Sequence, residues 1–316
     1  MKKNLYHLLF ALLCVVEVNA QNVLMTDPPS APDLFQQADT MVNMIAYNGE
    51  TIDEIIPESS QVPPTTTPIA TDRPDQTECP FLVPPKMFQI ETGASVEYDK
   101  DPSTSSKIKN YTYNTTLLKY GISRQWEFRF IAEYLGTKIT SRTDRTLNRN
   151  VSGMNSIAVG TKIFICEERG IIPKVALLAH LELPYFGSSQ FKVKHLAPRF
   201  RFSMQNTLSE RFTLSYNVGG EWDGDSQNAT IIYTASLGIS LVRNLNMFIE
   251  AYGFMTENSN VENEFSGSFT NDHRADAGFT YLIKNNLQLD VSGGIGISKV
   301  SPDSFLSCGL SWRFPQ

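Results

Sequence analysis

The chain has 316 residues, 41% of them hydrophobic and 19% charged, with a formal net charge of −6. These totals exclude a wholly disordered chain, and the acidic balance argues against nucleic acid as a partner. Beyond the first twenty residues no stretch reaches about 18 uninterrupted apolar positions, so no helix is expected to span a membrane, but a transmembrane β-barrel leaves little trace in such totals.

In chain order, the first element is a signal peptide over residues 1–20. Lys2 and Lys3 form a positive start, Leu5 to Val16 is apolar, and Val18-Asn19-Ala20 fits a small-residue cleavage site. The mature chain then starts at Gln21 and is exported. Leu12-Leu13-Cys14 lacks the small residue that precedes a lipoprotein cysteine. Export leaves Cys79, Cys166 and Cys308, an odd set that does not suggest a disulfide framework.

Residues 21–85 form an acidic, Pro-rich leader. They hold 11 of the 17 prolines, and ten acidic residues against the single basic residue Arg73. The Pro and Thr runs at Pro63 to Pro68 should be extended. A short helix is expected over 34–47, where Leu34, Ala38, Met41 and Ile45 share a face, Asp33 can cap it and Asn48-Gly49 can end it. A disordered linker is the alternative there. The remainder, 86–316, is slightly basic, so the net charge averages two unlike regions.

From Met87 onward the apolar residues recur at every second position. Trp126, Phe128, Phe130, Ala132 and Tyr134 alternate with Glu127, Arg129, Ile131 and Glu133; Leu306, Cys308, Leu310, Trp312 and Phe314 alternate with Ser307, Gly309, Ser311 and Arg313. Twelve segments read this way: 87–98, 111–122, 126–137, 155–165, 172–183, 195–207, 211–223, 229–241, 245–256, 273–283, 287–298 and 304–314. Alternation of this kind is the signature of a strand with one apolar face. Soluble strands average about 5–6 residues, whereas a tilted strand crossing a bilayer needs about 9–11, and these segments are of the longer kind.

The connections alternate too. Turns at 123–125, 208–210, 242–244 and 284–286 have three residues, and the one at 166–171 has six; the alternate connections, at 99–110, 138–154, 184–194, 224–228, 257–272 and 299–303, are mostly longer. Short turns at one end and long loops at the other are the pattern of an outer-membrane barrel with both termini in the periplasm. Tyr98, Trp126, Tyr134, Trp222, Tyr281, Trp312 and Phe314 lie near strand ends on the apolar register, as an interfacial girdle would. An apolar face toward lipid requires closure, because an open edge would leave unpaired backbone groups in hydrocarbon. The expected fold is therefore an all-β, twelve-stranded antiparallel transmembrane β-barrel with a Pro-rich N-terminal periplasmic segment.

The opposite register faces the lumen. Its charged members include Glu91, Lys119, Glu127, Arg129, Lys162, Arg199, Arg201, Arg211 and Glu250, which are the candidate solute path, together with Arg274, Asp276, Asp290 and Arg313. Lumen ion pairs that only stabilise the wall are the plainer reading of any one of them. Arg199, Arg201 and Arg211 fall on neighbouring segments and suggest a basic strip that attracts an anionic solute or a leader carboxylate. Asp72, Arg73, Asp75 and Glu78 are expected at the periplasmic mouth, in a plug-like stretch over 70–80.

Catalytic and metal chemistry is not indicated. His180, His195 and His273 are not spaced as metal ligands, and there is no Cys-x-x-Cys. A lipid-face hydrolase would need a serine and a histidine near the outer rim; His273 starts a strand there, but no serine stands two residues later. Gly293-Gly294-Ile295-Gly296 lies inside a strand segment and is no phosphate loop. The sequons at Asn110, Asn114, Asn150 and Asn228 read as chance composition in a bacterial chain. Cys79 and Cys166 fall at the same end of the expected barrel, which permits a disulfide between them.

Several stretches carry a resemblance. Ala70-Thr71-Asp72-Arg73-Pro74-Asp75-Gln76-Thr77-Glu78, then Val83-Pro84 and Phe88-Gln89-Ile90-Glu91-Thr92-Gly93, resemble the opening of bacterial outer-membrane proteins grouped as putative MetA-pathway of phenol degradation, often called transporters. Leu118-Lys119-Tyr120-Gly121-Ile122 with Glu127-Phe128-Arg129 looks like that family's second hairpin. Gly160-Thr161-Lys162 and Gly309 to Phe314 are also similar. The resemblance implies uptake of small solutes, hydrophobic or aromatic ones, across the outer membrane of a Gram-negative bacterium. The expected partners are outer-membrane lipid, a small-molecule solute and the barrel assembly machinery, with no cofactor and no enzymatic activity. The alternatives are a structural or adhesive barrel with a closed lumen and, further off, an outer-membrane lipid hydrolase.

Overall fold

The computed structural model describes residues 67–101, 103–141, 143–226, 228–258 and 268–314. The expected signal peptide, the 34–47 helix and most of the leader lie outside the described residues. Among the described residues thirteen strands follow one another: β1 (Phe88–Asp101), β2 (Ser106–Gly121), β3 (Trp126–Ser141), β4 (Arg149–Met154), β5 (Ile157–Cys166), β6 (Lys174–Leu183), β7 (Ala197–Thr207), β8 (Phe212–Trp222), β9 (Ala229–Val242), β10 (Leu245–Asn258), β11 (Ser268–Lys284), β12 (Leu287–Gly296) and β13 (Ser304–Phe314).

Apart from β4 and β5, each strand pairs antiparallel with its chain neighbours, and the sheet closes where β1 meets β13 from Phe88↔Phe314 to Tyr98↔Ser304. The thirteen strands occupy twelve wall positions. β3 pairs with β5 over its first half (Trp126↔Ile163 to Ile131↔Ala158) and with β4 over its second (Tyr134↔Met154 to Ile139↔Arg149). β4 and β5 are thus one wall strand broken at Asn155-Ser156. Ser188 of the following connection bonds Met154 through both its amide and its hydroxyl.

The distribution of side chains is the reverse of a soluble core. Trp126, Phe128, Ile163, Phe200, Ile249, Phe279, Val291 and Trp312 are each at least 40% exposed. The intervening Glu91, Lys119, Glu127, Arg129 and Lys162 are at most 2% exposed. Large apolar side chains on the outside and sealed charges on the inside suit a wall whose outer face meets hydrocarbon. Aromatic rings cluster at both ends of this face. Phe88 lies 4.5 Å from Tyr120 and 5.8 Å from Phe314 at the short-turn end, and Tyr113 stacks with Tyr111 and touches Tyr134 toward the other end. Ten residues separate Phe88 from Tyr98; at about 3.3 Å per residue and a tilt of about 40°, that spans roughly 25 Å, the height of an outer-membrane apolar band.

Two differences from the sequence reading concern the long-loop end. The expected loop at 99–110 is mostly strand, because β1 and β2 stay paired to Asp101↔Ser106. Likewise β3 runs on to Ser141 and β4 pairs with it inside the expected 138–154 loop. Beyond the aromatic band both faces of a hairpin meet water, so backbone pairing continues without apolar alternation to announce it. Arg211 is the third difference: it falls in the exposed turn 208–211 and not on β8, so the expected three-arginine strip is not assembled.

Candidate functional site

Residues 67–86 run across the inside of the barrel and bond its wall on several sides. The segment is non-repetitive backbone, so its own amides and carbonyls need partners, and inward-facing side chains supply them. Its two ends are fixed at the short-turn rim. The Ile69 amide donates to Asn285 O at 2.6 Å and Arg313 donates to Thr67 O at 2.5 Å. At the other end the Lys86 amide donates to Gly121 O at 2.7 Å.

Asp72 is the hub of the first contact region. Its carboxylate meets Lys119 of β2 at 2.5 Å, Arg129 of β3 at 2.7 Å and Lys162 of β5 at 3.0 Å. Three carboxylates surround these cations: Glu91 lies 2.5 Å from Lys119, and Glu127 and Glu78 lie 3.1 and 2.9 Å from Arg129. The backbone of the segment is bound into the same network. Glu91 accepts from the Asp72 amide, Glu127 from the Val83 amide at 2.7 Å, and Lys162 donates to Cys79 O at 2.8 Å. Arg129 Nε donates to His180 Nε2 at 3.0 Å, which requires that nitrogen to be unprotonated. Burial opposes ionisation of Asp72, but Lys119, Lys162 and Arg129 outweigh it and hold the carboxyl well below its usual range. Burial and the Asp72 charge push the Cys79 thiol up to about 12.

The second contact region is on β7 to β13. Arg73 donates to Asp290, Ser307 Oγ and Cys308 O, each at 3.1 Å. It lies against Gly93 and Gly309, where a Cβ would stand 2.3 and 2.4 Å from the guanidinium; only glycine admits the arginine at this depth. Glu250 accepts from the Gln76 amide at 2.7 Å and from the Thr77 hydroxyl, which also meets Thr234 at 2.7 Å. Asn217 brackets Glu78 with bonds of 2.7 and 2.9 Å to its amide and carbonyl. Ser203 donates to Glu78 O and Arg201 to Gln76 O at 3.2 Å. Burial, then the neighbouring Glu250, raises the Asp75 carboxyl well above its usual range.

The structure therefore gathers Asp72, Arg73, Asp75 and Glu78 with Glu91, Lys119, Glu127, Arg129, Lys162, Arg201 and Glu250 around one segment. Arg199 stands apart, paired in register with Glu221 on β8. The contacts extend over 67–86, further than the 70–80 read from the sequence. The uncharged partners Gln89, Ser203, Asn217 and Thr234 were not singled out by the sequence; their only signal is their place on the inward register. Cys79, Cys166 and Cys308 are free, so the permitted Cys79–Cys166 disulfide is not formed. His273 Nδ1 is 2.5 Å from the Tyr233 hydroxyl rather than from a serine. Between the segment and β8–β12 lies a cavity of about 300 Å³ toward the short-turn end, lined among others by Arg73, Asp75, Thr77, Ser215, Ser236 and Gln288.

Among solved structures the chain is similar to an outer membrane channel from Pseudomonas putida F1, with 11% identity and a TM-score of 0.59 over 74% of this chain and 97% of that one. It is more loosely similar to the translocator domain of the autotransporter NalP from Neisseria meningitidis, with 14% identity and a TM-score of 0.44 over 72% and 88%. No curated protein matches the chain. The first likeness covers nearly the whole of its counterpart, so the closed barrel is a fold shared with an outer-membrane protein. Residues 71–314, from the segment inside the barrel to the last strand, match the family described as "Putative MetA-pathway of phenol degradation", and the chain belongs to that family.

Proposed function

We propose that this protein is an outer-membrane channel for small solutes, with its leader on the periplasmic side and residues 67–86 acting as a plug that narrows the lumen. The observation that carries the reading is the inside-out wall: apolar residues outside, charged and hydrogen-bonding residues inside, and one segment of the same chain bonded across the interior. A wall of twelve positions is wider than an eight-stranded packed barrel and narrower than a general porin. The lumen is therefore large enough for a small solute once one segment has taken part of the space. The Pseudomonas likeness, a protein described as an outer membrane channel, supports the same reading. The family's description points to phenolic, hence aromatic or hydrophobic, solutes. Lipid of the outer membrane and the machinery that assembles barrels are the partners this reading requires.

A second reading is a structural barrel with a closed lumen. The dense ion-pair network around Asp72, which ties the segment to β2, β3 and β5, favours it. Swelling of proteoliposomes in isosmotic solute separates the two. The channel reading expects permeation of at least one small solute, and faster permeation when residues 70–80 are deleted. No permeation of any solute, with or without the segment, would leave the structural barrel standing.

A further inference from the structure

The outer face of the wall is basic in one place. On β5–β13 the outward register holds neither lysine nor arginine. On β1–β3 it holds Lys100, Lys107, Lys109 and Lys138, all beyond the aromatic band at the long-loop end. Their facing follows from the pairing. Tyr98 and Tyr134 are outward rings, 36% and 40% exposed. Lys109 pairs in register with Tyr98 and holds its ammonium 5.0 Å from the centre of that ring. Lys138 stands four residues beyond Tyr134 on the same strand, and so on the same face.

These cations are set against one another. Lys109 is directly opposite Lys138, and Lys100 directly opposite Lys107. Like charges at opposed positions of an antiparallel pair, about 5 Å apart at Cβ, destabilise the sheet. Asp303, 3.0 Å from Lys100, is the only carboxylate among the described residues that forms an ion pair with any of the four. Nothing within the wall balances Lys107, Lys109 and Lys138, so the surface is suited to an anion from outside.

The height of the cluster identifies that anion. At about 3.3 Å per residue and a tilt of about 40°, positions two to four residues past the girdle stand roughly 5–10 Å beyond it. The polar layer of one leaflet extends about 5–8 Å beyond the hydrocarbon, so the ammonium groups lie among lipid headgroups. Below them is a flat aromatic surface. Tyr111 and Tyr113 stack at 5.3 Å, and Tyr113 lies 5.9 Å from Tyr134. Gly136 makes room for the Tyr113 ring, which an added Cβ would meet at 2.5 Å.

We infer that the outward face of β1–β3 binds a phosphorylated glycolipid of the outer leaflet, its phosphates held by Lys107, Lys109 and Lys138 and its sugar resting on the tyrosine rings. A phosphate between Lys109 and Lys138 replaces their repulsion with charge-assisted hydrogen bonds. Tyrosine at this level offers an apolar face together with a hydroxyl. The inference rests on the outer-membrane placement proposed above, with the long-loop end outward, and is independent of conduction.

Native mass spectrometry of the full chain in detergent, titrated with diphosphoryl lipid A, tests the site. The expected result is a bound lipid, with affinity at least about tenfold lower in the triple variant Lys107→Gln, Lys109→Gln, Lys138→Gln. Lys194→Gln, on a loop at the same end but with its ammonium 3.4 Å from Asp225, should bind as the unmodified chain does. If the triple variant fails to fold, Lys138→Gln alone, at an exposed position, should still lower affinity about threefold. Equal affinity across these variants overturns the site. Inorganic phosphate or phosphatidylcholine binding as tightly as the diphosphoryl lipid overturns it too. A barrel that binds the lipid but conducts nothing overturns the channel reading and leaves the site standing.

Discussion

The two sides of the lumen hold the same segment by opposite electrostatic means. Beside β1–β5 the plug offers one carboxylate, Asp72, to three cations; Lys119 and Arg129 each have a second acid within reach, and Lys162 bonds the carbonyls of Cys79 and Phe81 instead. Beside β9–β12 it offers Asp75 to Glu250 and Asp276, acid against acid, with backbone and threonine bonds to Glu250 and the Arg73–Asp290 pair as the attachment. A buried charge is tolerable when paired and hydrogen-bonded, and costly otherwise. The first side is therefore an anchor. The second is held by one ion pair, Arg73 with Asp290, and by hydrogen bonds whose acceptor stands in an acidic environment, and a cavity lies on this side.

Asp72→Asn should break this contrast most severely. It leaves Lys119, Arg129 and Lys162 short of one buried countercharge, a change worth about 3–5 kcal/mol. The expected outcome is a lower unfolding temperature of the detergent-solubilised barrel together with a higher channel conductance. Next is Gly309→Ala. The added methyl would stand 2.4 Å from the Arg73 guanidinium and should displace it, at a cost of about 1–3 kcal/mol; conductance noise should rise while the Asp72 anchor keeps the segment in place.

Acidity sharpens the comparison because the two carboxyls shift in opposite directions. The Asp72 value is depressed, so its contribution is complete above the ordinary carboxyl range near about 4 and is lost only as pH falls through the depressed value. The Asp75 value is raised, so its side is most stable in acid and weakens as pH climbs from the ordinary carboxyl value through the raised one. The groups that act on Asp75 are Asp72 on its own segment, Glu250 on β10 and Asp276 on β11, with the Ser236 hydroxyl of β9 hydrogen-bonded to it. Conductance should therefore rise with alkaline pH, and Asp75→Asn should flatten that rise. A flat wild-type profile would refute the asymmetry.

Two smaller effects complete the set. Cys79, whose thiol is pushed up to about 12 by burial and Asp72, should be alkylated slowly by a maleimide at neutral pH and faster in Asp72→Asn. Arg211→Ala should change neither melting nor conductance, because the residue lies in an exposed turn.

The barrel was legible because period-two alternation survives wherever one face of a strand meets lipid and the other does not. Trp126 to Tyr134 and Leu306 to Phe314 announce both their strand state and their facing. The same signal disappears at Lys107 to Asn110 and Arg149 to Met154. There both faces are wet, and the hairpins continue on backbone bonds alone. The charged half of the site was legible for the same reason: Glu91, Lys119, Glu127, Arg129 and Lys162 occupy inward positions of confidently placed strands. Arg211 was not legible in this way, since at a strand end one residue of shift moves a side chain out of the wall.

The sequence by itself determined the number of wall positions, the inward and outward residues, and the acidic stretch that precedes the wall. These are local properties, written in periodicity and in turn length. Only the tertiary structure decided that Asp72 meets residues 47, 57 and 90 positions away, that Arg73 lies between glycines of the first and last strands, and that a cavity lies beside β8–β12. Closure of the barrel brings β1 and β13 together and turns a list of inward charges into one network. No periodicity in the chain encodes which of those charges will face each other across the lumen.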